Sequence, residues 1–203
     1  MKIICIGRNY ANHAKELNNP LPTEPLFFLK PETAVIRNNK PFYYPQFSTE
    51  IHHEIELILK INKPGKNIPL KFAHKYYTEI GLGIDFTARD LQEKCKLNAT
   101  PWEIAKAFDG AAPIGKFIDK SELQNLNTIQ FHLNINGNTI QKGNTADLIF
   151  SFDIIIAHIS KYITLKTGDI IFTGTPAGVG PIKIGDLLEG FIEDVKMIEV
   201  AIR

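Results

Sequence analysis

The 203-residue sequence predicts one domain, residues 1–203, with an α+β fold that is mostly β. Glycine and proline, with 14 and 12 copies, interrupt the chain throughout. The apolar runs between them are short and rich in β-branched and aromatic residues, which is typical of strands. No internal repeat divides the sequence, and a chain of this length buries enough surface to fold without a disulfide or a structural metal.

In the first half of the chain, four segments have the pattern of a strand or a helix. Residues 2–6 form an apolar run typical of a strand, and a short helix is expected over residues 10–17. Residues 54–61 give the clearest strand, because apolar side chains alternate there with other residues. Residues 77–86 indicate a second buried strand.

The second half of the chain is expected to begin with a helix. Thr87 and Asp90 have the spacing of a capping box, which predicts that a helix starts there. The Asn136-Gly137 pair favours a tight hairpin turn, because both residues tolerate a positive φ. The remaining expected elements are a hairpin, a buried helix and two strands, over residues 129–141, 151–163, 169–172 and 198–202.

The charged residues almost cancel, because 23 Lys and Arg stand against 22 Asp and Glu for a formal net charge of +1. No segment carries the basic block that binding by bulk charge requires, so we expect no nucleic-acid partner. The longest apolar stretch, residues 148–165, contains Asp153, His158 and Lys161 and is too polar for a membrane span. Without a signal-peptide pattern, and with two cysteines, we expect a cytoplasmic protein that does not contact a membrane.

Three acidic residues form the most informative pattern. Glu54 and Glu56 are two apart on the expected strand, so both project from one face, about 6.6 Å apart along it. A solvated outer strand face would explain this pair alone. Asp85, however, ends an apolar segment where a lone buried charge is costly, and a third carboxylate argues for a shared cation. Such a set suits Mg²⁺ or Mn²⁺, with Lys106 as the candidate to offset the remaining negative charge and hold an anionic substrate.

A second pattern joins His13 and Glu16. The two residues are three apart on the expected short helix and therefore share a face, so the carboxylate could orient the imidazole. That is the arrangement that a general base requires. An exposed pair on a solvated helix is the alternative.

The glycine-rich segment 174–180 resembles a phosphate loop in composition but lacks the Gly-Lys-Ser/Thr ending. We expect a tight loop instead. Its backbone amides, or the Thr175 hydroxyl, would approach a carboxylate.

Seven sequence stretches occur in order along nearly the whole chain: CIGRNYANHAKE (5–16), FLKPETA (28–34), HHEIEL (52–57), DFTARDLQ (85–92), PWEIAK (101–106), TLKTGD (164–169) and TGTPAGVG (173–180). In this order they resemble the fumarylacetoacetate hydrolase family, most closely its short acylpyruvase and oxaloacetate decarboxylase forms. The resemblance implies a β-roll with flanking short helices, usually in a homodimer. The site residues it implies are the metal ligands Glu54, Glu56 and Asp85, the catalytic residues His13, Glu16 and Lys106, and the substrate-binding residues Arg8, Gln92 and Thr175.

The resemblance implies a hydrolase, dependent on Mg²⁺ or Mn²⁺, that cleaves a C–C bond in a small 2-oxo acid of the acylpyruvate type. His13, oriented by Glu16, would activate water, and the metal site would stabilise the enolate that leaves. One alternative is decarboxylation of oxaloacetate. Another is isomerisation or decarboxylation of substrates of the 2-hydroxyhepta-2,4-diene-1,7-dioate type in aromatic catabolism. A non-catalytic, metal-dependent binding protein is the least favoured alternative.

Overall fold

The computed structural model describes residues 1–11, 16 and 21–203, and the chain there is mostly β, as expected. The strands described are β1 (Ile3–Gly7), β2 (Leu26–Lys30), β3 (Val35–Ile36), β4 (Ile51–His53), β5 (Ile55–Ile61), β6 (Tyr77–Ile84), β7 (Thr87–Ala88), β8 (Ala112–Asp119), β9 (Gln130–Ile135), β10 (Asn138–Asn144), β11 (Ile170–Phe172), β12 (Gly180–Pro181), β13 (Leu187–Ile192) and β14 (Val195–Ala201). The α-helices whose bounds lie in the described residues are α1 (Leu70–Ala73), α2 (Arg89–Leu97), α3 (Glu103–Lys106) and α4 (Phe152–Tyr162).

Short 3₁₀ turns complete the regular structure at Glu32–Ala34, Lys120–Glu122 and Thr145–Asp147. Much of the helix expected over residues 10–17 lies outside the described residues. Within that range, Ala11 and Glu16 are described and both are helical. Within the residues that the structure describes, no helix combines the length and the apolar character that a membrane crossing requires.

The largest sheet has the strand order β2-β1-β11-β5-β6-β8-β3. Strand β1 runs parallel to β11, and β3 runs parallel to β8, while the other neighbours are antiparallel. A second sheet has the order β10-β9-β13-β14, and a short third sheet has the order β12-β4-β7. The mixed sheet with few short helices confirms the predicted fold class.

Strands β5 and β6 form the centre of the largest sheet, and β5 is buried on both faces. Ile55 and Leu57 are fully buried on one face, as the alternation predicted. The second sheet packs there, since a Cβ atom at Gly190 of β13 would lie 3.1 Å from the side chain of Ile55. Glu56 and Ile58 are also buried, with 1% and 0% exposure. A solvated outer face is therefore not the explanation for the glutamates.

The start of α2 differs from the prediction. The helix begins at Arg89, and Ala88 before it makes no side-chain cap. The Asp90 carboxylate instead accepts hydrogen bonds from the Ser48 hydroxyl at 2.7 Å and the Thr49 amide at 3.1 Å. The expected helix is present, but the capping box is wrong because tertiary partners engage Asp90.

Later elements agree more closely with the sequence. Asn136 and Gly137 form the turn between β9 and β10, with φ values of 51° and 80°. Helix α4 is capped by Ser151, whose hydroxyl accepts a hydrogen bond from the Ile154 amide. Strands β11 and β14 occupy the expected positions.

Phe172 supplies a test of this packing. The ring is fully buried against Gly83, where an added Cβ atom would lie only 2.6 Å from it. We expect Phe172→Ala to lower the free energy of unfolding by about 3–5 kcal/mol, because it removes the ring and leaves a cavity. Urea unfolding provides the measurement. Tyr43→Ala, at a side chain that is 70% exposed, should change stability by less than about 0.5 kcal/mol, and similar small losses in both variants would contradict the packing.

Candidate active site

The three carboxylates predicted as metal ligands lie together. Oxygen atoms of Glu54, Glu56 and Asp85 are all within 4.8 Å of one another, and no residue of the three is more than 5% exposed. The strand pairing explains this arrangement, because Ile55 of β5 is paired with Ile84 of β6, and the next pair outward is Glu54 with Asp85. The Asp85 amide donates to the Glu54 carbonyl at 2.8 Å.

Lys106 neutralises part of this cluster. Its Nζ atom donates to Glu54 Oε2 at 2.8 Å, to Asp85 Oδ2 at 2.9 Å and to Thr87 Oγ1 at 2.5 Å. Burial would lower the pKa of Lys106, but the carboxylates of Asp85 and Glu54 more than compensate and raise it above its ordinary value. The predicted proximity of Lys106 to the acids is therefore present, with all three ammonium protons engaged.

Arg89 binds the oxygen of Glu54 that Lys106 does not. Its guanidinium donates to Glu54 Oε1 at 2.7 Å and to Gln92 Oε1 at 2.6 Å. Because Arg89 and Gln92 are both buried, this contact fixes the orientation of the Gln92 amide. Sequence reasoning selected Gln92 but passed over Arg89, which stands in the same DFTARDLQ stretch.

Lys30 is a second basic residue that sequence reasoning did not single out. Its Nζ atom lies 2.8 Å from Asp85 Oδ1 and also donates to the carbonyls of Lys106 at 2.5 Å and Ala111 at 2.9 Å. It is only 2% exposed. The available signal was a lysine that ends an apolar strand, just as Asp85 ends one.

Glu56 has the least compensated charge of the three acids. Burial raises its pKa well above the ordinary value, and the charges of Asp85 and Glu54 add to the effect. The Gly174 amide acts in the opposite direction by donating to Glu56 Oε2 at 2.6 Å. A cation at this position would relieve the repulsion that remains.

The glycine-rich loop 173–178 approaches carboxylates through its amides, as predicted. Besides the bond to Glu56, the Gly178 amide donates to Glu16 Oε1 at 3.1 Å and Oε2 at 3.3 Å. Gly174 and Gly178 have φ values of 103° and 96°, which only glycine adopts without strain. The Thr175 hydroxyl makes a different contact, since it donates to the Ile55 carbonyl at 2.9 Å.

Gln141 fastens this loop and was also missed by sequence reasoning. Its amide nitrogen donates to Thr175 Oγ1 and to the Pro176 carbonyl, both at 3.0 Å. Its oxygen accepts from the Ile55 amide at 3.1 Å and lies 2.7 Å from His53 Nδ1. Because that oxygen only accepts, His53 carries its proton on Nδ1.

The surroundings of His53 keep the ring neutral. Burial lowers the pKa of His53, and the hydrogen bond to Gln141 only partly opposes this effect. Burial therefore favours the neutral ring, and the Gln141 oxygen places its proton on Nδ1. The two side chains form one buried polar unit behind the loop.

Most of the predicted site residues line one cleft. Glu16 does not line the cleft, but it is bound by Gly178 of the loop that supplies Thr175 to the lining. His13 falls outside the described residues, so its role stays a prediction. The predicted residues in the cleft are Arg8, Glu54, Glu56, Asp85, Gln92, Lys106 and Thr175, and the lining also includes Phe28, Arg89, Lys96 and Trp102.

Comparison with known proteins connects this geometry to named enzymes. Over 193 residues the chain is 42% identical to the mitochondrial oxaloacetate tautomerase of Mus musculus, a match that covers 95% of this chain and 87% of the relative. It is 43% identical over 189 residues to the mitochondrial oxaloacetate decarboxylase of Dictyostelium discoideum, covering 93% and 87% of the two chains.

A solved structure gives the same picture. The fumarylpyruvate hydrolase of Pseudomonas aeruginosa, in complex with Mn²⁺ and pyruvate, superposes with a TM-score of 0.93 at 35% identity, covering 100% of this chain and 89% of that one. The family model described as fumarylacetoacetate hydrolase, C-terminal, matches residues 2–203. The chain therefore belongs to the fumarylacetoacetate hydrolase family.

Proposed function

We propose that residues 1–203 form one catalytic domain of a divalent-metal-dependent enzyme that acts on a small 2-oxo acid through its enol or enolate form. Oxaloacetate is the first candidate substrate, undergoing keto–enol exchange or decarboxylation. The observation that carries the proposal is the buried cluster of Glu54, Glu56 and Asp85 in a cleft. The named functions of the two curated relatives support oxaloacetate.

The donor set of the cluster fits a hard divalent cation. Its three ligands offer carboxylate oxygens alone, which suit Mg²⁺ and Mn²⁺. The Mn²⁺ in the Pseudomonas aeruginosa enzyme supports the same choice of metal class. A cation held by Glu54, Glu56 and Asp85 would supply Lewis-acid polarisation of the substrate's oxygens.

Lys106 would stabilise the negative charge that develops on the substrate. Its raised pKa keeps the ammonium charged at neutral pH, and a fixed cation in a buried site lowers the energy of an enolate. To donate directly to a substrate oxygen, Lys106 would have to release Glu54, Asp85 or Thr87. Asp85 would then still be held by Lys30, and Glu54 by Arg89.

Arg8, Gln92 and Thr175 would contact the substrate from the walls of the cleft. The Thr175 hydroxyl donates its proton to Ile55 and accepts one from Gln141, which leaves a lone pair free to accept from an enol hydroxyl. Gln92 has its oxygen occupied by Arg89 and can offer its amide protons.

Proton transfer is assigned to the His13–Glu16 dyad. The Glu16 carboxylate is held by the Gly178 amide, on the loop that also binds Glu56 through Gly174. The loop therefore connects Glu16 of the proposed dyad to the proposed metal site. His13 would exchange the proton between carbon and solvent in the oxaloacetate reaction.

Hydrolysis of an acylpyruvate or fumarylpyruvate is the second candidate. The likeness to the Pseudomonas aeruginosa fumarylpyruvate hydrolase favours it. The same residues would serve, with His13 abstracting a proton from water rather than from carbon. The homodimer stays a prediction, and so does the cytoplasmic location, since the two named curated relatives are mitochondrial.

The reaction is tested by assaying metal-stripped protein with oxaloacetate, acetylpyruvate and a hydroxy-dienedioate. Enol disappearance, pyruvate formation and diketone loss are recorded for each substrate. We expect turnover of oxaloacetate that appears when Mg²⁺ or Mn²⁺ is added and disappears with EDTA, because the acid cluster requires a cation to act. Turnover that persists in EDTA would refute the metal proposal, and turnover of acetylpyruvate alone would select the second candidate.

The metal site is tested by Glu56→Gln. The amide can still accept from Gly174, but the charge that attracts the cation is lost. Mn²⁺ affinity, measured by electron paramagnetic resonance, should fall by more than about 100-fold, beyond the effect of residues that only support ligands. Glu79→Gln, at a partly exposed acid paired with Lys60, is the matched control and should bind Mn²⁺ normally. Equal affinity in the two variants would place the cation elsewhere.

Gln141→Ala tests whether the side chain of Gln141 positions the loop 173–178. Loss of the buried amide should free the loop that serves Glu56 and Glu16, lowering Mn²⁺ affinity about 10-fold along with kcat. The unpaired buried groups should also cost about 1–3 kcal/mol of stability. Gln130→Ala, at an exposed side chain, should change none of the three quantities. A Gln141→Ala protein that is less stable but binds Mn²⁺ normally would reduce the role to packing.

A further inference from the structure

The cleft contains two positive charges that the acid cluster does not explain. Four basic residues line it, of which Lys106 and Arg89 are ion-paired with Glu54. Arg8 and Lys96 make no ion pair with any acid in the described ranges. Cations that converge in a cleft without acidic partners indicate an anionic ligand.

Arg8 is held in position by its backbone. It follows β1 with a φ value of 60°, a left-handed conformation that is uncommon for residues other than glycine and that clusters at functional sites. The next residue, Asn9, is fully buried and fixes this bend by donating to the carbonyls of Phe150 at 3.0 Å and Thr173 at 2.8 Å. The half-buried Arg8 side chain lines the cleft as a result.

Lys96 enters the cleft from α2. Arg89, Gln92 and Lys96 are at positions i, i+3 and i+7, so they share one face of this helix, and all three line the cleft. Burial and the like charges of Arg89 and Arg8 lower the pKa of Lys96, with Glu93 and Glu54 acting in opposition. The positive groups are thus close enough to repel one another.

We propose that Arg8 and Lys96 form a subsite for a second carboxylate, so that the protein prefers dicarboxylic 2-oxo acids to monocarboxylic ones. The inference rests on the proposed function, which directs the 2-oxo-carboxylate end of the ligand to the acid cluster. The other end then meets the two unpaired cations. Phe28 and Trp102, with ring centroids 6.1 Å apart, supply an apolar wall for the carbon chain between the ends.

This subsite separates the candidate substrates by the charge of their far end. Oxaloacetate and fumarylpyruvate carry a second carboxylate, whereas acetylpyruvate ends in a methyl group. A methyl group would leave Arg8 and Lys96 without the anionic partner that a second carboxylate supplies.

The test compares the binding of 2-oxoglutarate and 2-oxovalerate to the Mn²⁺-loaded protein. These acids share a five-carbon chain and differ in the terminal carboxylate. The chain has one tryptophan, Trp102, and it lines the cleft, so its fluorescence reports binding directly. We expect the wild type to prefer 2-oxoglutarate and Lys96→Gln to reduce that preference about tenfold, as for loss of one charge-assisted contact. Lys96→Glu should reduce it further.

Lys94→Gln is the matched control, because Lys94 is exposed on the same helix, as Lys96 is, but does not line the cleft. It should retain the wild-type preference. Three results would overturn the subsite: no preference in the wild type, equal weakening of both acids in Lys96→Gln, or the same loss in Lys94→Gln, which would indicate bulk charge. An absence of detectable binding by either acid to the wild type would also count against it.

The outcome is independent of turnover. Neither acid is a β-keto acid or a 1,3-diketone, so binding is measured without reaction. A preference for 2-oxoglutarate in a protein that turns over no substrate would support the subsite and contradict the proposed enzyme. If the protein is catalytically active, the ratio of kcat/KM for oxaloacetate to kcat/KM for acetylpyruvate should fall in Lys96→Gln and should not fall in Lys94→Gln.

Discussion

The pairing of β5 with β6 is the constraint on which the site depends. Its register puts Glu54 opposite Asp85, with Glu56 beside them, in a volume that water scarcely reaches. Three like charges in such a place are unfavourable unless positive charge surrounds them. That charge comes from separate elements: Lys30 from β2, Arg89 from α2 and Lys106 from α3. The arrangement of these elements around the sheet therefore satisfies electrostatics as well as apolar packing.

Local periodicity was sufficient to predict that Glu54 and Glu56 share a face, because that is a property of one strand, and Asp85 was added because it ends an apolar segment. Lys30 and Gln141 could not be predicted in this way. The partners of the Lys30 ammonium are 55 to 81 residues away, and the side-chain hydrogen bonds of Gln141 span 34 to 88 residues. Neither residue has a neighbour in sequence that reveals its partners, so only the folded chain identifies them.

The fold shows the same division. Strands bounded by glycine and proline were predictable from composition and alternation, as was the hairpin turn at Asn136-Gly137. The parallel pairing of β1 with β11 was not, since it joins residues 3–5 to residues 170–172, which are far apart in the sequence. Asp90 shows how tertiary contacts override a local pattern. Its carboxylate satisfies Ser48 and Thr49 on another segment, and α2 forms without the cap that the sequence suggests.

The loop 173–178 has a consequence for how the site can change. The amides of Gly174 and Gly178 are four residues apart, and each donates to a carboxylate from a different part of the chain. A Cβ atom at Gly174 would also come within 2.7 Å of Asn9. Inserting or deleting a residue here would uncouple one carboxylate from the other. New specificities are therefore more accessible through substitutions on α2, whose C-terminal end is exposed, than through remodelling of this loop.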